Sequence, residues 1–404
     1  MSVPQIAVVG AGPSGCYAAL AISKKFPGAE IVIFDQLPVP FGLIRYGVAA
    51  DHQGTKAVTA QFERMFSSGT ARFVGGIQIG GSLELEDILD AFDVVIWAVG
   101  LARDRNLGIP GEDTPGVYGS GVVSRLWNAH PGTTGAQVRI GRRVAIIGGG
   151  NVSLDLARLL IKPHAQLAGS DLDETFDESV PDPVEDVSIL VRGEPACAKW
   201  DAAMIREFGS IEGLSVKTDP NNYASLRLAA EDGHSASSAL LDLIEAESPT
   251  HLRARMLVSF GTRPIAVSGD SRVTGLEIEG PEGRQHLAVD TVLTAIGFKT
   301  DDSPDHPRVF AAGWARTGPR GTIPSLRTAS RALASEVEHA VAAATGRGGI
   351  SSLHLPNQKV TSFDDWVEID AHEIASAPED RCRKKIRDIS SIDSLLTSTR
   401  SALT

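Results

Sequence analysis

Ile6-Ala7-Val8-Val9-Gly10-Ala11-Gly12-Pro13-Ser14-Gly15 decides the fold, together with the alanine-rich stretch Tyr17 to Phe26 and the apolar run Ile31-Val32-Ile33-Phe34 that ends at Asp35. A short apolar run that breaks into Gly-x-Gly-x-x-Gly, passes into a helical stretch and returns as a second apolar run predicts strand, turn, helix, strand. The three glycines allow a tight turn, close approach of backbone to a pyrophosphate, and close packing of helix on strand. The helix N-terminus then presents unpaired N–H groups to phosphate, and Asp35, 20 residues after Gly15, is placed to accept from ribose hydroxyls. The stretch therefore predicts a dinucleotide site.

The same plan returns at Val144-Ala145-Ile146-Ile147, Gly148-Gly149-Gly150-Asn151 and the helix-like stretch from Val152 to Leu160, with the next apolar run, 187–191, ending at Arg192. Here Ser153 stands in the third glycine position, small enough to keep the helix close. Strands alternating with helices predict parallel sheets with right-handed crossovers. The expected fold class is α/β, with two Rossmann-like dinucleotide-binding domains. Two such units in one chain imply two adenine dinucleotides, of which a flavin and a nicotinamide cofactor are the simplest pair.

Composition narrows the classes. Apolar residues make up 42% and charged residues 22% of the 404, ordinary for a folded protein. Thirty-eight Lys and Arg against 50 Asp and Glu leave a net charge of −12, which disfavours nucleic acid as a partner. No run reaches the roughly 18 apolar residues of a membrane span. The first apolar run begins within five residues of Met1, leaving no room for a signal peptide, so a cytoplasmic setting is expected. Cys16, Cys197 and Cys382 are far apart, which excludes a disulfide scaffold, a zinc ribbon and a dithiol active site; no metal site is expected. Two charge runs stand out. Segment 171–186 carries eight acids and no base and reads as a solvated loop or frayed helix, while 381–387 is basic within a polar tail and reads as solvated or as a docking patch.

Beyond the first loop, Pro38-Val39-Pro40-Phe41-Gly42-Leu43-Ile44-Arg45-Tyr46-Gly47-Val48-Ala49, Gly150-Asn151-Val152-x-Leu154-Asp155-x-Ala157-Arg158 and Gly313-Trp314-Ala315-Arg316-Thr317-Gly318-Pro319-Arg320-Gly321 resemble the adrenodoxin-reductase-like ferredoxin–NADP reductases. Val360-Thr361-Ser362-Phe363 to Trp366 also looks like that family's C-terminal segment. The resemblance runs end to end over a chain somewhat shorter than is usual for the family, with the shortfall around 215–255. It implies a flavoprotein that takes hydride from NADPH or NADH through FAD and passes single electrons to an acidic ferredoxin serving a P450, oxygenase or iron–sulfur system. It implies an FAD domain of 1–105 and 305–404 with an NAD(P)H domain, 106–304, inserted. Pro13 and Gly42 belong to the motifs; Gly10, Gly12, Ser14 and Gly15 would hold pyrophosphate and Asp35 ribose. Leu43, Tyr46, Gly47 and Val48 would line the isoalloxazine, with Gly313, Trp314, Gly318, Gly321, Thr322 and Ile323 on its other side. Gly148, Gly150, Asn151, Val152 and Arg192 would hold the nicotinamide cofactor. His52, paired with Glu207, would be the catalytic group near the nicotinamide, relaying a proton or locking the domains.

The chain departs from the family's pattern where a second arginine and a glutamate are usual, at Gly193 and Met204. The preference for NADPH over NADH is then expected to be modest, because each lost charge-assisted contact is worth roughly 1.5–3 kcal/mol. Arg206, Arg253, Arg255 and the basic 381–387 stretch are candidate ferredoxin contacts. Two other classes remain open: a two-electron oxidoreductase acting on a small molecule, which would need a substrate cavity, and a flavin-binding scaffold without turnover, to which the eroded arginine pair and Ser153 would point.

Overall fold

The computed structural model describes residues 3–133, 135–300, 302–319, 321, 323–355 and 360–402. The first glycine stretch forms β1 (Gln5–Val9), the helix Pro13–Lys25 and β2 (Glu30–Asp35), with β3 (Arg72–Gly75) and β4 (Val94–Trp97) completing the run. Next come β5 (Val117–Gly119), β6 (Arg143–Ile147), the helix Asn151–Ile161, β7 (Asp186–Val191), β8 (Leu214–Thr218) and β9 (Ala254–Phe260). The remaining strands are β10 (Arg263–Ser268), β11 (Gly275–Gly280), β12 (Gly283–Leu287), β13 (Thr291–Thr294) and β14 (Val309–Ala311).

Two parallel sheets result, as the repeated glycine pattern predicts. One has the order β14-β4-β1-β2-β3 and the other β5-β13-β6-β7-β9-β8. Strand β14, late in the sequence, pairs with β4 and so joins the sheet of the first glycine loop. Parallel strands covered on both faces read as continuous apolar runs, and β1 and the apolar part of β2 are buried throughout. A small antiparallel sheet, β10-β11-β12, lies between β9 and β13 in sequence and was not anticipated.

The polar tail is folded rather than solvated. Helix Phe363–Ala375 buries Trp366 and Ile369 and carries a capping box at Ser362, and helix Ile389–Ala402 buries Ile392 and Leu396. The acidic segment is likewise ordered, as helix Glu174–Ser179 capped by Asp173. The two charge runs have found one another. Arg381 meets Asp177 at 3.2 Å, Lys384 meets Glu174 at 3.5 Å, Lys385 meets Asp171 at 2.8 Å and Arg387 meets Asp173 at 2.7 Å. Most of the acids of 171–186 therefore carry a cationic partner. No helix among the described residues is long and apolar enough to cross a membrane.

Candidate cofactor site

Each glycine loop is pressed onto the end of a neighbouring strand. Gly10, at φ +107°, would place a Cβ 2.4 Å from the Ala98 carbonyl oxygen; Gly148, at φ +149°, would place one 2.3 Å from that of Ala295. Gly15 is tighter still, its Cβ falling 1.9 Å from the Gly10 oxygen. Gly12 and Gly150, by contrast, face open space, with nothing within 4 Å of an added Cβ. Both cap their helices without a side-chain acceptor, and Pro13 occupies the first turn where its missing N–H is not needed. The two helix N-termini are thus left open to an anion.

Around the first loop the expected residues gather. Ala11 N–H donates to Asp35 Oδ2 (2.7 Å) and Leu37 N–H to Oδ1 (2.9 Å), while burial raises the carboxyl to about 6 against those two hydrogen bonds. A Cβ on Gly42 would lie 3.0 Å from the Gly12 Cα, so the Gly42–Tyr46 turn sits on the phosphate loop. Gly313 would meet Ser14 Oγ at 1.8 Å, which ties the Trp314 segment to the same loop. Trp314 is half-buried and packs on Phe298 with ring centroids 5.6 Å apart. Leu43, in that turn, and Val99, whose backbone N lies beside Gly10, are exposed apolar side chains. An uncapped helix, an open glycine and an apolar wall together fit a flavin adenine dinucleotide. Gly321, at φ +90°, has Ser325 Oγ as its near neighbour, Ile323 opens a helix, and Gly318 is half-buried at φ +68°; Thr322 lies outside the described residues.

In the second unit, Ser153 is fully buried and donates from Oγ to the Gly150 carbonyl at 2.6 Å. Its hydroxyl bonds locally and leaves the loop open. Asn151 Oδ1 accepts from Asp201 N–H at 2.8 Å. The register aligns Asp35 of the first unit with Val191 of the second, so no carboxylate stands at the ribose position there; exposed Arg192 comes next.

Between the loops lies an ionic knot. His52 Nε2 is 3.1 Å from Glu207 Oε2, and its Nδ1 is 3.3 Å from Asp155 Oδ1. Arg158, whose side chain is 0% exposed, reaches Asp51 (2.7 Å), Asp155 (2.9 Å) and Glu207 (3.4 Å), and Lys162 reaches Asp51 at 2.7 Å. Burial raises the Asp155 carboxyl, with Arg158 and His52 opposing. A narrow crevice lined by Gly47, Ala49, Asn128, Val152 and Asp155 joins the two units. Sequence reasoning paired His52 with Glu207 but missed Asp155 and Arg158 as its companions. The available signal was helical spacing, which puts Arg158 on the buried face with Leu154 and Ile161.

Two of the proposed ferredoxin contacts are already engaged. Arg253 donates to the Ile161 carbonyl (2.6 Å) and pairs with Asp182, and Arg255 pairs with Asp186 at 2.6 Å. Arg381, Lys384, Lys385 and Arg387 pair with the acidic segment and Arg383 with Asp370 and Glu373, so the 381–387 stretch is not a free patch. Arg206 is exposed. The cysteines are free, and Cys16 is buried with its thiol donating to the Ala11 carbonyl (3.3 Å), so disulfide exchange has no partner thiol.

The family described as pyridine nucleotide-disulphide oxidoreductase matches residues 4–207. A cindoxin reductase of Citrobacter braakii is 36% identical over 96% of this chain and 90% of its own. The chain belongs to the adrenodoxin-reductase-like ferredoxin–NADP reductases. An NADPH-ferredoxin reductase FprA of Mycobacterium leprae is 28% identical over 96% of this chain and 98% of its own. The structure of Mycobacterium tuberculosis FprA in complex with NADPH superposes with a TM-score of 0.89 at 26% identity, covering 97% of this reductase and 99% of that chain.

Proposed function

We propose that this reductase oxidises NAD(P)H, with FAD as its resident cofactor, and delivers electrons to an acidic iron–sulfur ferredoxin. The observation that carries the reading is that the first open glycine loop meets Phe41 and Gly42, while residues 47–52, a few positions on, meet the helix of the second open glycine loop at Val152 and Asp155. Bound flavin accepts an electron pair as hydride and releases electrons one at a time. Everything else falls to the chain. Gly10–Gly15 and the Pro13–Lys25 helix terminus would hold the pyrophosphate and Asp35 the ribose. Leu43, Val99 and Trp314 would keep water from the ring, with Tyr46 to Val48 at one edge and Gly318, Gly321 and Ile323 on the other side. Gly148 to Val152 and Arg192 would hold the nicotinamide cofactor. His52 sits between Asp155 and Glu207, so a proton on either ring nitrogen has an acceptor, and the same contacts hold the units in register. We assign 1–105 and 305–404 to the FAD unit and 106–304 to the NAD(P)H unit, a division supported by the pairing of β14 with β4. The three unpaired cysteines support a reducing, cytoplasmic setting.

Anaerobic NADPH addition should bleach the flavin absorbance, and cytochrome c reduction should depend on added ferredoxin; a flavin that stays oxidised would overturn the reading. The FAD is expected to be held without a covalent bond, so acid precipitation should carry the yellow colour into the supernatant. Colour in the pellet would contradict this.

Cofactor preference is expected to be modest, about tenfold between NADPH and NADH in kcat/KM, since Arg192 at the β7 end is followed by Gly193 and not by a second arginine. Gly193→Arg should move the ratio toward NADPH by roughly 1.5–3 kcal/mol, mainly in KM, because the 2′-phosphate is remote from the transferred hydride. A Cβ at Gly193 would lie 3.1 Å from Cys197 Cβ, an atom fixed by the backbone, so the Pro195–Cys197 turn must give by a few tenths of an ångström to admit the arginine. A wild-type preference of about a thousandfold would place a second cation elsewhere.

A further inference from the structure

Behind the 45–50 segment lies a buried polar cluster built from four distant parts of the chain. Lys56 is 8%, Lys385 5%, Asp171 4% and Asn128 2% exposed. Both lysines reach the Asp171 carboxylate, Lys56 Nζ at 2.7 and 2.9 Å and Lys385 Nζ at 2.8 Å. Both also donate to Asn128 Oδ1, at 2.7 and 3.0 Å, and to the Arg45 carbonyl, at 3.4 and 3.0 Å. With two ammonium groups on its oxygen, the Asn128 amide can turn only its nitrogen the other way. That Nδ2 donates to the carbonyls of Ser124 (2.9 Å) and Val48 (3.3 Å). Asp171 N–H donates to the Ala50 carbonyl at 3.1 Å. Carbonyls on both sides of the turn at Gly47 are thus held from behind, those of Arg45 and Val48 by lysine and asparagine side chains and that of Ala50 by the Asp171 backbone N–H.

We propose that Lys385 and Asn128 are positioning residues of the flavin site: Lys385, together with Lys56, orients Asn128, which fixes the Val48 carbonyl and so the 45–50 backbone against the ring. The inference rests on the reading that FAD occupies the first unit with Gly47 and Val48 beside its ring. It gives the 381–387 segment a role inside the protein. Burial and the neighbouring Lys56 push the Lys385 ammonium well below its ordinary range, with Asp171 opposing. A lysine held in so unfavourable a place, satisfied by three acceptors, is positioned for what it holds.

The test compares holoenzyme of Asn128→Asp, Lys385→Met and Lys385→Arg, with exposed Lys384→Met as control. Asn128→Asp keeps the lysine contacts and the size of the side chain but loses the donor to Val48 and Ser124, so apoprotein melting temperatures are read beside FAD affinity to separate positioning from folding. The readouts are FAD affinity, the flavin midpoint potential and the KM for NADPH. Asn128→Asp and Lys385→Met are expected to weaken FAD binding about tenfold and to displace the potential, with KM for NADPH changed little. Lys385→Arg should recover part of both, and Lys384→Met should match the wild type. If Lys385→Met does not fold, Asn128→Asp decides alone. Wild-type FAD affinity and potential in Asn128→Asp would overturn the inference while leaving the proposed function intact; a wild-type protein that binds no FAD would overturn both.

Discussion

Gly15→Ala is expected to yield a protein that melts well below the wild type and holds no flavin, although the added group is one methyl. That methyl would sit 1.9 Å from the Gly10 carbonyl oxygen and 3.1 Å from Val8 Cγ1. Gly10 has no way to move aside. Its N–H is bonded to the Phe34 carbonyl at 2.7 Å, and the space on its other side is filled by the Ala98 oxygen. The clash must therefore be relieved by shifting the whole Pro13–Lys25 helix off β1. Overpacking of a core ordinarily costs about 1–3 kcal/mol, and a backbone obstacle puts this case at or above the upper end. Gly12→Ala is the informative contrast. Gly12 has φ −72° in extended backbone and empty space at its Cβ, so the apoprotein should melt as the wild type does. The same methyl would stand where a pyrophosphate approaches, and FAD affinity should fall steeply. Thermal melts of the two apoproteins with FAD titrations check both claims; equal melting temperatures for Gly15→Ala and wild type would refute the packing argument.

That contrast marks what the sequence made legible. Glycine spacing, a terminal acid and strand-like runs act within some thirty residues, where chain geometry leaves few alternatives, so both loops, Asp35 and the parallel sheets could be read directly. The partnership of His52 with Glu207 came through resemblance, since nothing local joins residues 155 positions apart. The charge runs misled for a physical reason. Asp171 and Lys385 look like solvated residues because each run taken alone has the composition of a surface, and only the folded tail brings them together. Asn128 carried no signal, since an asparagine at a helix C-terminus is ordinary until its amide is seen between two lysines and a carbonyl. Lys56 had a faint one: it lies four residues after His52, in the short helix Gln53–Lys56.

The ionic knot at His52 should make stability depend on acid, and Asp51 is the residue to remove. Its carboxylate receives Arg158 Nε (2.9 Å), Arg158 Nη2 (2.7 Å) and Lys162 Nζ (2.7 Å). Burial alone would raise its pKa, but the hydrogen bonds and charges of Arg158 and Lys162 outweigh burial and hold the carboxyl well below the usual range. A carboxyl depressed in the folded state contributes stability that is fully present above the unfolded value, near 4, and is lost as pH falls toward the folded one. Asp51→Ala removes two hydrogen bonds from the buried Arg158 guanidinium but leaves it Asp155 and the more distant Glu207, so the loss falls short of about 3–5 kcal/mol, the cost of a buried charge left unpaired. At neutral pH the variant should therefore unfold at markedly lower urea than the wild type. Below about pH 4 the gap should narrow, because the unfolded wild-type chain takes up a proton that the paired carboxylate of the folded state still refuses. Because Arg158 also touches Glu207, the pairing with His52 should loosen, lowering kcat for NADPH oxidation while bound FAD stays at wild-type stoichiometry. Urea midpoints measured from pH 3 to 7 check the first claim, and parallel curves across that range would show that Asp51 is not the acid-sensitive contact.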